Sequence, residues 1–167
     1  MQPKTLKNFT CYVDGRGYAG RINEIQLPNL TLKTEEHRAG GMDAPIEVDL
    51  GMEALTCELT FAEYDPALFG LFGLVEGANV GLTLRGAQQG TDGSVEAVIV
   101  TLRGGFKQLN AGTWTGGSKA TLTASVSASY YRLQIGAATV VEIDIENMVR
   151  RIGGTDQLSG VRRALGI

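Results

Sequence analysis

Apolar and polar residues alternate with a period of two in several stretches of the 167-residue chain. That period marks strands whose two faces meet different surroundings. Ile46, Val48, Leu50 and Met52 alternate with Glu47, Asp49 and Gly51, which predicts a half-buried strand with an acidic outer face. Leu55, Cys57, Leu59 and Phe61 alternate with Thr56, Glu58 and Thr60, and Gly51 to Ala54 supply a turn or bend between the two strands. Val80, Leu82 and Leu84 continue the theme. Beyond a turn at Gln88 to Gly93, the stretch Val95 to Leu102 is apolar on nearly both faces, as expected of a central strand covered on two sides.

The segment from Ala120 to Ile135 carries the most information. Ala120, Leu122, Ala124, Val126, Ala128 and Tyr130 share one face, and Thr121, Thr123, Ser125, Ser127 and Ser129 share the other. After Tyr130 the apolar set becomes Tyr131, Leu133 and Ile135. A phase slip of one residue is the mark of a β-bulge. Val141, Ile143 and Ile145 predict one more strand after a turn at Gly136 to Ala138.

One helix interrupts the strands. Asp65 suits an N-cap, Pro66 suits the first helical position, and Leu68, Leu71, Phe72 and Val75 follow helical spacing. Gly70 and Gly73 each cost about 1 kcal/mol inside a helix, so close approach of the helix to a sheet, over the small alanine face of residues 120 to 128, is expected. A short C-terminal helix over Asp156 to Leu165 is a weaker signal. The class is mainly β with one packed helix, and the length suits a single domain over residues 1–167.

Composition narrows the function. Glycine, at 23 residues, is about twice the usual ~7%, and its spread along the chain signals many reversals. A net charge of −3 with scattered bases argues against tight nucleic-acid binding, which needs clustered Lys and Arg. No apolar run approaches the roughly 18 residues of a membrane span. Met1 to Thr5 has no apolar core, so no secretory leader is expected. Cys11 and Cys57 sit in alternating stretches and read as reduced core residues in a cytoplasmic setting.

Candidate chemistry is sparse. The only histidine, His37, lies near Asp43, and a triad with some serine is conceivable in spacing alone; no Gly-x-Ser-x-Gly elbow places that serine. One histidine and two separated cysteines do not make a metal site, and no cofactor is expected. Gly40-Gly41 matches neither a P-loop nor a dinucleotide loop. Residues 33 to 45 form a long polar insertion without large apolar residues to pin it. Spacing leaves two readings open for it, an interaction element or a mobile hairpin tip.

The run Lys33 to Leu55, KTEEHRAGGMDAPIEVDLGMEAL, resembles the signature segment of the phage major tail tube protein family, found in contractile-tailed phages and R-type tailocins. The specific element is Arg38 to Pro45. The resemblance extends over the whole chain, through Asp14-Gly15, Phe72-Gly73-Leu74 in the expected helix, Leu102-Arg103-Gly104, Ser129 to Leu133, Glu142 to Asp144, Gly154 to Gln157 and Leu165 to Ile167. Thr10 departs from the asparagine frequent in that family.

The resemblance implies a β-sandwich or barrel with one packed helix and a long inter-ring hairpin loop, related to type VI secretion tube proteins. It implies a structural, non-enzymatic subunit that forms hexameric rings, stacked into a hollow tube within a sheath. Such a tube pierces the host envelope and conducts DNA without sequence-specific binding and without stable membrane insertion of the monomer. The implied partners are identical subunits, the sheath, a tape measure protein, a baseplate tube initiator and a tail terminator, in a virion tail assembled in the host cytoplasm. The alternative is a secretion-type or effector-carrying ring protein on the same fold. Within that frame Glu35, Glu36, His37, Arg38, Gly40, Gly41, Met42 and Asp43 are expected to bridge rings, with charge-assisted bonds, a positive-φ turn at the glycines and Met42 as an apolar plug. The face of Thr121, Thr123, Ser125, Ser127 and Ser129 is the candidate lumen wall, or a face that simply meets solvent or pairs by hydroxyl ladders.

Overall fold

A computed structural model of the chain describes residues 2–73 and 79–167. The strands follow the alternation. The first three are β1 (Thr5–Val13), β2 (Arg16–Gly17) and β3 (Ile22–Gln26), followed by β4 (Leu32–His37), β5 (Ile46–Met52) and β6 (Leu55–Phe61). The one-turn α1 (Pro66–Phe69) precedes the long strands β7 (Val80–Gln89), β8 (Val95–Asn110) and β9 (Leu122–Ile135). Strands β10 (Ala138–Asp144), β11 (Val149–Ile152) and β12 (Thr155–Asp156) lead into α2 (Ser159–Leu165).

Ten strands form one antiparallel sheet that runs β12-β11-β10-β9-β8-β7-β1-β2, with β6 joining β9 to β3. Strand β9 organises it by changing partner. Residues Leu122 to Ala128 pair with β6, and Tyr130 to Ile135 pair with β10. Along its other edge β9 follows β8, where Gly104 pairs with Ala128 and Arg103 with Tyr130, leaving Ser129 as an extra residue. The bulge predicted from the phase slip is therefore the point where the sheet turns. The Ile145 amide donates to the freed Ser129 carbonyl at 3.0 Å. A Cβ on Gly104 would stand 1.9 Å from the Ser127 carbonyl oxygen, so only glycine permits this crossing.

Folding at that corner brings the inner faces of the two sheet halves together. Leu55, Cys57, Leu59, Phe61, Leu122, Ala124, Val126 and Phe106 meet Leu82, Leu84, Val100, Leu102, Tyr131 and Ile143 in one core. Cys11 and Cys57 are both fully buried and unpaired, and burial pushes each thiol up to about 12. Such thiols are inert packing groups at neutral pH.

Three expectations need correction. The helix begins as its signals foretell: the Asp65 carboxylate accepts from the Ala67 amide at 2.9 Å, with Pro66 in the first position. It ends after four residues at Gly70, because Phe72 and Gly73 bridge instead to Phe106 of β8, where the Gly73 amide donates to the Phe106 carbonyl at 2.9 Å. Leu71 and Phe72 are thus outside the helix, and Leu74 and Val75 lie outside the described residues. Gly70 approaches no sheet; a Cβ there would meet only its own turn at Ala67 and Pro66. Second, β8 is central in the sheet, but Val95 and Ala97 are exposed and Ile99 is half-buried, so one face of VEAVIVTL is only partly covered. Third, β5 is not half-buried: Ile46, Val48 and Leu50 are 55%, 42% and 52% exposed.

Candidate functional site

The segment that reads as a polar loop begins as strand. Lys33 to His37 lie in β4, which pairs only with β5 in a separate two-stranded sheet, and every residue of β4 is exposed. The tip beyond it is a turn in which the Met42 amide donates to the Ala39 carbonyl at 3.2 Å and Gly41 takes φ +88°. The Arg38 guanidinium donates to the Met42 carbonyl, and the Met42 sulfur accepts from the Ala39 amide at 3.2 Å. In the free chain Met42 therefore packs into its own turn and is half-buried. Gly40 is exposed in the turn, and Glu35, Glu36 and Asp43 form no ion pair among the described residues. His37 stands on β4 opposite Ile46 and forms no hydrogen bond or ion pair with Asp43 among the described residues.

A register shift at the hairpin base decides which face points where. Thr34 pairs with Asp49 but Leu32 pairs with Met52, so β5 holds one extra residue. Gly51 takes φ +107° there, and the Asp49 carboxylate accepts from its amide at 2.7 Å. Met52 thereby shares the face of Asp49 and packs against the core, while Ile46, Val48 and Leu50 lie on the opposite face with Glu35 and His37. The single stripe of four expected from alternation is split by the bulge.

The Asp49 side holds the hairpin to the body. Arg150 of β11 donates to Asp49 at 2.7 Å, and the Gly51 amide together with Arg150 holds the Asp49 carboxyl below its ordinary range. Beside this contact lies a groove of about 440 Å³ walled by Met52, Leu55, Ile143, Met148 and Val161. Helix α2 closes one side of it without burying any residue of its own. Arg162 fixes that helix through Asp156 at 2.5 Å and the Met148 carbonyl at 2.8 Å. The Arg162 contact is the leading reason the Asp156 carboxyl falls to about 2.

The hydroxyl face of β9 lies in the other sheet half. Thr123, Ser127 and Ser129 are half-buried, Ser125 is buried, and Thr121 is half-buried just before the strand. In register, Thr56, Glu58 and Thr60 of β6 flank Ser127, Ser125 and Thr123 on one side. Gln108 and Asn110 of β8 flank Ser125 and Thr123 on the other, and Lys107 reaches across to the Thr56 hydroxyl at 3.2 Å. The serines are thus the middle row of a wider polar face, whose outer rows the spacing of a single strand does not display.

The model of the phage tail tube protein FII family matches residues 3–166. The chain belongs to that family. It is 32% identical to the tail tube protein of Escherichia phage P2 over 169 aligned residues, covering 99% of this chain and 98% of that one. It is 30% identical to the major tail tube protein of Serratia phage KSP20, covering 91% and 89%. Among solved structures, a chain of the extended sheath-tube complex of the extracellular contractile injection system PVC superposes with a TM-score of 0.59 at 13% identity, over 79% of this chain and 91% of that one. At that identity the likeness is one of fold. The chain is therefore a contractile-phage tail tube protein with the mainly β tube fold, and its function is structural.

The stripe of Ile46, Val48 and Leu50 as an outward face, the Asp49–Arg150 tether and the exposed Trp114 do not follow from the alternation of residues. The lone tryptophan in a glycine-rich loop was the one signal available for the last of these.

Proposed function

We propose that this chain closes head to tail into hexameric rings, and that the β4-β5 hairpin joins each ring to the next in the inner tube of a contractile tail. The observation that carries the reading is the hairpin itself: a two-stranded sheet, exposed along β4 and along β5 as far as Leu50, whose apolar face looks away from its own core. An isolated two-stranded hairpin is marginal in water, and three exposed aliphatic residues in a row on it call for a covering surface. A heterologous contact that closes on itself satisfies this and also protects the free edges of the sheet.

In this arrangement Glu35, Glu36, Arg38 and Asp43 make charge-assisted bonds to the adjacent ring, and the Gly40-Gly41 turn lets Met42 swing out as an apolar plug. The tip exchanges its internal contacts to Met42 for contacts to the adjacent ring. The face of Thr123, Ser125, Ser127 and Ser129, with Thr121 at its end, lines the lumen. Short hydroxyls give a smooth wall, and an acidic subunit does not hold passing DNA by counterion release. The sheath, a tape measure protein, a baseplate tube initiator and a tail terminator are the remaining partners. The tube is built in the host cytoplasm, and no catalytic step belongs to the role.

The test is negative-stain electron microscopy of the purified protein over a concentration series, beside a variant lacking Gly40 to Asp43. Annular hexamers and hollow rods are expected from the intact chain, and a folded, non-assembling domain from the deletion. Rods of normal length from the deletion variant would remove the hairpin from ring stacking.

A further inference from the structure

The end of the fold opposite the hairpin carries a second surface without a partner among the described residues. Strand β6 connects the two: the hairpin enters it at Leu55, and Tyr64 and α1 follow its exit at Phe61. Phe61 pairs with Leu122, so the loop of residues 111 to 121 hangs at the same exit end. Seven residues of strand at roughly 3.3 Å each put about 20 Å between the two ends.

That loop holds the only tryptophan of the chain, and Trp114 is 80% exposed. It is held in place nonetheless. Its indole N–H donates to the Tyr64 hydroxyl at 2.8 Å, and the Tyr64 hydroxyl donates in turn to the Ala111 carbonyl. Phe69 of α1, 43% exposed, packs edge-on against Tyr64 with ring centres 6.2 Å apart. A fixed, solvent-facing aromatic group is poorly explained by the fold of this chain alone. Tryptophan and tyrosine concentrate at the energetic centres of protein interfaces.

We infer that the platform of Trp114, Tyr64 and Phe69 is the receptor for the Ile46–Val48–Leu50 face of the hairpin from a second copy in the adjacent ring. The inference rests on the stacking proposed above and supplies its missing half. Stacked identical rings need unlike top and bottom faces, and these two apolar surfaces lie at opposite ends of one strand. Charge agrees with the pairing. Asp49 is paired with Arg150 of its own chain, and residues 33 to 50 otherwise hold four acids (Glu35, Glu36, Asp43, Glu47) against Lys33 and Arg38, while beside the platform Glu63 and Asp65 are both paired with Arg21 and Lys119 forms no ion pair among the described residues. Aliphatic side chains on an aromatic platform form the dry centre, with the charges at its rim.

The single tryptophan is its own reporter. Fluorescence of Trp114 in the free chain should be red-shifted and readily quenched by acrylamide; in rods it should shift to the blue and lose quenching several-fold. A Val48→Cys/Thr115→Cys double variant, assembled and then oxidised with copper phenanthroline, should give covalent ladders of linked subunits, and neither single variant should. The native cysteines are fully buried and do not compete. Trp114→Ala should raise the concentration needed for rods roughly tenfold, and Trp114→Phe should recover most of that loss. Rods that form normally with Trp114 still quenchable and no ladders would overturn the pairing while leaving the tube intact. Shielding of Trp114 only on addition of sheath protein would overturn it in favour of that partner. A wild-type chain that forms no rods even with baseplate tube initiator added would overturn the ring-stacking proposal as well.

Discussion

Strands β5 and β6 are neighbours in sequence, carry the same alternation and have opposite fates. In β6, Leu55, Cys57, Leu59 and Phe61 are at most 1% exposed, packed between the two halves of the sheet. In β5, Ile46, Val48 and Leu50 are about as apolar and stand 42 to 55% in solvent. The difference is not one of propensity. Strand β6 lies between β3 and β9 and faces the core across the fold, whereas β5 has one partner, β4, with no second layer over its apolar face among the described residues. Alternation reports that a face is meant to be covered; it is silent on whether the cover belongs to the same molecule.

This comparison can be broken at either strand. Leu59→Ala should cost about 3 kcal/mol of unfolding free energy, the usual penalty for emptying a fully buried leucine site, read as a lower denaturant midpoint. Gly104→Ala should be of similar size, roughly 3 kcal/mol, because its Cβ would strike the Ser127 backbone at the corner where β9 changes partner. On the hairpin the effects of substitution should fall on assembly instead. Val48→Asp should move the unfolding free energy of the monomer by no more than roughly 0.5 kcal/mol.

Smaller changes sharpen the boundary between hairpin and body. Arg150→Ala removes the contact to Asp49, and amide exchange at the hairpin base should quicken while the rate in β6 and β9 stays unchanged. Acid should act on α2 in the same local way. The Asp156 carboxyl lies lower in the folded chain than in the unfolded one, so its contribution is present above about pH 4 and is lost as the pH falls toward its folded value of about 2. Exchange from residues 159 to 165 should rise across that window before the core opens.

Much of the body was legible because its signals are local. The period of β6 and the phase slip in β9 follow from side-chain parity, and the bulge at Ser129 is where that parity changes. The start of α1 was legible from Asp65 and Pro66. Its length was not, since Phe72 and Gly73 leave the helix for a long-range bridge to Phe106. For the hairpin, Lys33 to His37 read as loop because the segment has no apolar member; pairing with β5 makes it strand. The split of Met52 from Ile46, Val48 and Leu50 depends on a single residue, Gly51, whose positive φ becomes evident only with the register. The residues from Glu35 to Asp43 were singled out through the family resemblance rather than through spacing, which left a mobile tip equally open.

The most direct test of the claim that the hairpin's apolar face serves other copies of the chain is sedimentation of the Val48→Asp variant beside the wild type, with denaturation of both as the control. A folded Val48→Asp chain with an unchanged midpoint and no pelletable rods is the result expected. Rods at wild-type yield from that variant would contradict the account, because a buried carboxylate at the centre of the contact would then have cost nothing.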